Sequence, residues 1–208
     1  MQKIKIAVTG GPSGGKTTLL ETLKKELGNQ IALVPEAASL LYRGGFPRGK
    51  TPNARIHTQK AIYYTQKEIE SLISEDSSAY LIICDRGSLD SIAYWPYVEE
   101  DFFKHIQSDR ETELKRYDWV IHLDTASSDY YDSSNPIRTE SHEEAVLLNK
   151  KIRSAWNGHP QRIIISEDSD FLTKMAKSIS VITSILENET YEEILAKLRA
   201  NSSLGGSN

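Results

Sequence analysis

The run KIKIAVT at residues 3–9 passes directly into GGPSGGKT at 10–17 and then into a leucine-striped segment. No other feature constrains the chain as strongly. A short apolar strand, a glycine-rich turn with the spacing G-x-x-x-x-G-K-[ST] and an amphipathic helix make one βα unit built around a phosphate. The helix is expected over Thr17 to Leu27, with Leu19, Leu20, Leu23 and Leu27 on one stripe and a stop at Gly28. The glycines let backbone N–H groups turn inward around phosphate oxygens, and the helix start adds the positive end of its dipole. Lys16 is placed to reach β and γ phosphates, and Thr17 to hold Mg2+. The expected nucleotide-binding residues are Gly10, Gly11, Pro12, Ser13, Gly14, Gly15, Lys16, Thr17 and Thr18. The alternative is a turn that only joins strand to helix. A guanine-reading N-K-x-D motif is absent from the expected region, so ATP is the expected nucleotide and GTP the second candidate.

Further apolar runs rich in Ile and Val stand at 31–34, 80–84, 119–123 and 162–166. They lack strict alternation, as buried parallel strands do. Helical patterns lie between them. One opens at Thr51 with Pro52 at its first position and runs to about Ser74; another opens with the capping box Ser141-x-x-Glu144, carries Ala145, Leu148, Ile152 and Trp156 on one face, and ends at Gly158. Two more, about 170–186 and 191–200, close the chain, the last with a Thr190-x-x-Glu193 box. This alternation predicts a three-layer α/β domain over 1–200 with a parallel sheet, and a frayed tail at 201–208.

With 38% hydrophobic residues, 26% charged and a net charge of −4, the chain lacks the basic bias of nucleic-acid binders. Cys84 is the single cysteine and no apolar run approaches the roughly 18–20 residues that span a bilayer, so a cytoplasmic setting without integral membrane association is expected. Oligomeric state, monomer or homodimer, is left open.

Two strands end in aspartate, at Asp85 and Asp124. Asp85 is the expected metal-side carboxylate alongside Thr17, because Arg86 and Gly87 follow at once at a strand's C-terminal edge, where ligands of open α/β sheets bind. The alternative is a helix N-cap for the segment from Ser88. Glu36, after the second strand, could accept a proton from an attacking hydroxyl. Its other reading is a charge favouring the start of the helix Ala37 to Leu41. On the helix from Pro52, Arg55, Gln59 and Gln66 share a face with Ile62, Ile69 and Ile73. Buried polar groups need partners, supplied by a bound polar substrate or by neighbouring backbone. In YRGGFPRGKTP, residues 42–52, Arg43, Arg48 and Lys50 suit a loop closing over an anionic or phosphate-bearing substrate, or simply a solvated basic loop. The polar stretch 125–144 is expected to be a lid whose Arg138 stabilises a transferred phosphoryl group. The five histidines show no metal-ligand spacing.

TGGPSGGKTTLL, VPEAA, CDRGSLDSIAY and NPIRTE with AWNGHP, spread over residues 4–185, carry a resemblance. The chain resembles the P-loop kinase-like, AAA-type ATPase family that includes the nicotinamide riboside kinase domain of bacterial NAD regulators and the nucleotide-binding domain of the photoreceptor translocation-defect proteins. VPEAA and CDRGSLD are also similar to the Glu and Asp-Arg motifs of the more distant deoxynucleoside kinases. The resemblance implies a P-loop NTPase fold with sheet order 2-3-1-4-5, adenine near Glu167 to Asp170, Glu36 as the substrate-side base and Arg86 as its electrostatic partner. The expected activity is ATP-dependent phosphorylation of a nucleoside-, nucleotide- or riboside-like small molecule, with Lys16, Glu36, Arg86 and Arg138 as catalytic residues. A nucleotide-dependent switch or an ATPase without such transfer is the alternative.

Overall fold

The computed structural model describes residues 3–126, 141–166 and 170–204. Arg138, most of the expected lid and residues 167–169 of the expected adenine loop lie outside the described residues. Five strands, β1 (Ile4–Thr9), β2 (Ile31–Val34), β3 (Leu81–Asp85), β4 (Trp119–Leu123) and β5 (Arg162–Ile165), form an all-parallel sheet in the order β2-β3-β1-β4-β5. β1 lies at its centre, in register with Leu81 to Asp85 on one side and with Trp119 to His122 on the other. The strand order reverses there, and crevices at such switch points are where open α/β sheets take ligands.

The pleat sends alternate residues to opposite faces. Ile6, Val8, Leu81, Ile83, Ile121 and Leu123 pack on one face beneath helices α1 (Lys16–Leu27), α7 (Phe171–Leu186) and α8 (Tyr191–Leu204). Ala7, Ile82, Cys84 and Val120 pack on the other, beneath α3 (Pro52–Asp76), α6 (His142–Ala155) and the 3-10 segment Ser88–Tyr94. Both faces are covered, which is why the strands are predominantly apolar. Burying one Leu or Ile side chain contributes about 1.5–3 kcal/mol, more than the ~1 kcal/mol of a helix cap. The caps set the boundaries instead. Thr51 accepts from the Ala54 N–H at 3.2 Å with Pro52 following it, and Ser141 and Glu144 form the reciprocal box. Thr190 and Glu193 repeat that exchange before α8.

The remaining helices are α2 (Ala37–Arg43), α4 (Glu99–Ile106) and α5 (Arg110–Leu114). Nothing in the sequence reading marks α4 or α5, which are short and separated by only a few residues. α4 closes a satellite cluster in which Tyr63, Trp95, Phe102 and Ile106 pack together, and α5 reaches it through Glu113, which accepts from the Tyr63 hydroxyl at 2.7 Å. α8 runs four residues past the expected end at 200, because ANSSL contains no breaker before Gly205. Gly87, not Asp85, occupies the N-cap of the 3-10 segment, so Asp85 is not spent on capping.

Gly87 sits where the sheet edge meets α6. A Cβ there would lie 2.5 Å from Cζ2 and 2.7 Å from Cη2 of Trp156. That ring is fully buried and packs edge-on to Tyr117 at 5.3 Å, leaving it little room to retreat. Gly87→Ala is therefore expected to destabilise the protein by about 1–3 kcal/mol, the usual cost of overpacking. Urea unfolding checks this, and an unchanged midpoint would show that Trp156 can move.

Candidate active site

Gly10 begins the loop with φ +127°, and a Cβ on it would stand 1.9 Å from the Leu123 carbonyl oxygen. Only glycine allows β1 to turn this tightly against β4. The loop then wraps one end of a cavity of about 700 Å³, lined by Pro12 to Thr18. Lys16 is buried, and its Nζ donates to the Gly10 and Gly11 carbonyls at 3.0 and 2.7 Å. Burial pushes its pKa down to about 7; the Arg86 charge acts the same way, against the pull of Asp85, Glu36 and Asp90. The Ser13 hydroxyl is buried with no hydrogen-bond partner among the described residues. A loop with an orphaned donor and a partly discharged ammonium suits an incoming phosphate oxygen.

Arg86 faces the loop from the end of β3. Its backbone holds φ +73°, a left-handed conformation that a non-glycine residue adopts only where its surroundings demand it. They do. Its N–H donates to the Val8 carbonyl at 3.0 Å, Nε donates to Glu36 Oε1 at 2.5 Å, and one terminal nitrogen donates to Asp90 Oδ2 at 3.2 Å and the Gly10 carbonyl at 3.3 Å. Asp90 Oδ1 accepts from Thr9 Oγ1 and Trp156 Nε1, each at 2.6 Å. The guanidinium is thus tied to β1, α2 and α6 together.

Glu36 occupies the N-cap position of α2, yet its side chain caps no backbone N–H. It accepts from Arg86 and from the Ser39 hydroxyl instead. Burial works against its ionisation, but the Arg86 charge and the Ser39 hydrogen bond outweigh this and hold it below the ordinary glutamate value. Asp85 shifts the other way. Burial raises its pKa, Glu36 adds to the rise and Lys16 partly offsets it. Its carboxylate accepts no hydrogen bond among the described residues and lines the cavity with the exposed Thr17. A destabilised carboxylate lining the same cavity as a loop hydroxyl fits Mg2+, which is held by one or two carboxylates plus phosphate oxygens. No group of three or more His, Cys, Asp or Glu among the described residues could hold a metal alone.

The α3 face divides. Gln59 is buried, lines the cavity and makes no hydrogen bond among the described residues. Gln66 also borders the cavity, but its amide is committed: Oε1 accepts from the Ala37 N–H at 3.4 Å, and Nε2 donates to Glu70 at 3.1 Å and to the Arg86 carbonyl at 3.4 Å. It braces both Glu36 and Arg86. Arg55 is exposed and does not line the cavity, one turn before Gln59, whereas Arg43 and Arg48 do. The structure therefore gathers Lys16, Thr17, Glu36, Arg43, Gln59, Gln66, Asp85 and Arg86 and leaves Arg55 outside.

Asp90 and Asn149 went unmarked in the sequence reading. Asp90 lies four residues after Arg86, in the 3-10 segment that begins at Ser88. Asn149 interrupts the apolar face of α6 between Ala145 and Ile152 and is buried behind the loop. Its Oδ1 accepts from the Gly11 N–H and lies against His122 Nε2, both at 2.9 Å, while Nδ2 donates to Asp124 Oδ1 at 2.7 Å. Asp124 also meets Arg153 at 3.4 Å and lies outside the cavity lining, so it holds the scaffold.

A family model described as an AAA domain matches residues 5–172. None of the curated proteins matches the chain. Among solved structures, that of deoxyadenosine kinase from M. mycoides with bound dATP is similar, with a TM-score of 0.58 at 17% identity over 87% of this chain and 100% of that one. At that identity the likeness is one of fold.

Two outcomes follow from this geometry. Bound phosphates stabilise the Lys16 ammonium, so its pKa is higher in the complex than the value of about 7 in the free protein. Affinity for ADP is then full below that pH and falls above it, with about one proton taken up per ADP bound at roughly pH 8. Calorimetry in buffers of differing ionisation enthalpy measures the uptake, which Lys16→Met should abolish. Asn149→Leu strands the Gly11 N–H and one lobe of Asp124, costing about 1–3 kcal/mol of stability and weakening ADP binding. Undiminished ADP affinity in that variant would mean that contact with β4 alone holds the loop.

Proposed function

Because the chain belongs to the AAA domain family and has a kinase-like P-loop fold, we propose that it transfers the γ-phosphoryl group of ATP to a small acceptor of nucleoside, nucleotide or riboside type. The observation that carries this reading is the Glu36–Arg86 pair, which lines the same cavity as Lys16 and the phosphate loop. Glu36 takes the proton of the acceptor hydroxyl as its oxygen bonds to the γ phosphorus, and the bond to the β–γ bridging oxygen breaks to release ADP. The lowered pKa of Glu36 keeps it unprotonated and ready near neutral pH. Arg86 fixes that carboxylate and, with Lys16, faces the negative charge of the moving group; Arg138 is assigned the same task from the lid. Thr17 and Asp85 would hold Mg2+, which when bound would neutralise negative charge on the phosphates.

No helix among the described residues is long and apolar enough to cross a membrane. A cytoplasmic protein acting on a small molecule, without nucleic acid as its main partner, is part of the same proposal.

The test is a panel of nucleosides, nucleotides and vitamin ribosides with Mg·ATP, run on wild type and Glu36→Gln. Transfer in the wild type should fall about 10²- to 10⁴-fold in the variant, with ATP affinity retained. Hydrolysis of ATP without transfer to any acceptor would favour an ATPase or switch. Transfer surviving in Glu36→Gln would remove Glu36 from the role of base.

A further inference from the structure

Beyond Glu36 and Arg86, the acceptor side of the cavity holds two cations without an opposite charge. Arg43 ends α2, Arg48 follows in the next loop, and both line the cavity. Neither forms an ion pair or hydrogen bond among the described residues. The Arg48 guanidinium stacks on Tyr42, with Cζ 4.0 Å from the ring centroid. Stacking occupies the face of a guanidinium and leaves its in-plane N–H donors uncommitted.

The lining carboxylates cannot serve these arginines. Glu36 and Asp90 are taken by Arg86, and among the described residues Asp85 pairs with neither Arg43 nor Arg48. Both arginines are exposed residues that line the cavity, and a planar fork of donors matches phosphate or carboxylate best. Position adds a constraint. α2 begins right after Glu36 and ends at Arg43, so about 10 Å of helix separates the two backbone positions. An acceptor whose hydroxyl meets Glu36 therefore presents a different part of itself to Arg43 and Arg48.

From this, and resting on the transfer reading above, we propose that the acceptor carries an oxyanion, a phosphate or a carboxylate, at a distance from the oxygen that is phosphorylated. Arg43 and Arg48 bind that group, with Tyr42 as the platform that orients Arg48. A neutral acceptor leaves both guanidiniums unpaired and binds more weakly.

Wild-type protein loaded with Mg·ADP, which fills the phosphate loop without permitting transfer, is titrated calorimetrically with five ligands. They are a nucleoside, its 3′- and 5′-monophosphates, ribose 5-phosphate and a ring-carboxylated riboside. The oxyanion-bearing ligands should bind about 10- to 100-fold tighter than the neutral parent, as charge-assisted hydrogen bonds allow. The phosphate and carboxylate arms identify which oxyanion is preferred. That preference should shrink in Arg43→Gln and Arg48→Gln and persist in Lys50→Gln, which removes a charge from the same loop outside the cavity lining. Equal affinity for neutral and anionic ligands, no binding of any oxyanion, or an equal loss in Lys50→Gln would overturn the proposal. Transfer assays on the same ligands separate the two readings. Anion preference without transfer counts against phosphotransfer alone, and transfer without anion preference counts against the oxyanion site alone.

Discussion

The site is organised around one half-buried cation. Arg86 sits in a left-handed backbone conformation and reaches Glu36, Asp90 and the Gly10 carbonyl. A half-buried guanidinium without carboxylate partners would lose solvation with nothing to replace it. The surrounding elements are arranged so that this does not happen. Asp90 is itself held by Thr9 and Trp156, and Gln66 braces the Arg86 carbonyl and the start of α2. One charge therefore sets the relation between central strand, α2, α3 and α6. That arrangement also aims Glu36 into the cavity rather than at the backbone N–H groups beside it.

A second polar assembly supports the phosphate loop from behind. Asn149 links the Gly11 N–H to Asp124, and Lys174 donates to the Asp124 carbonyl. These groups are buried, and in a low-dielectric interior such hydrogen bonds are strong and rigidify what they touch. The loop thus combines fixed backbone with a lysine whose charge awaits a ligand. α6, which carries Asn149, is also the helix that directly follows residues 125–140, so the loop's rear support and the chain's long polar connection share an element.

Much of the fold was legible in local patterns. The five strands, the caps at Thr51, Ser141 and Thr190, and the phosphate loop all depend on residues within a few positions of each other. α4 and α5 escaped because short helices between turn residues leave little periodicity to read. The polar stripe on α3 illustrates the boundary. Helical spacing correctly grouped Gln59 and Gln66, but only packing shows that the Gln66 amide is occupied by protein while that of Gln59 is open to the cavity. Spacing likewise included Arg55, which lies one turn too far out to reach the cavity.

By itself, the sequence determined the glycine-rich βα unit and the alternation that buries a parallel sheet between two helical layers, since both are written in glycine placement and short-range periodicity. The tertiary structure decided which distant residues meet. Glu36 and Arg86 stand 50 positions apart, and Gly11 and Asn149 stand 138 apart. Their meeting follows from the strand order, which no local pattern encodes, and from the need of each buried charge or amide for a partner.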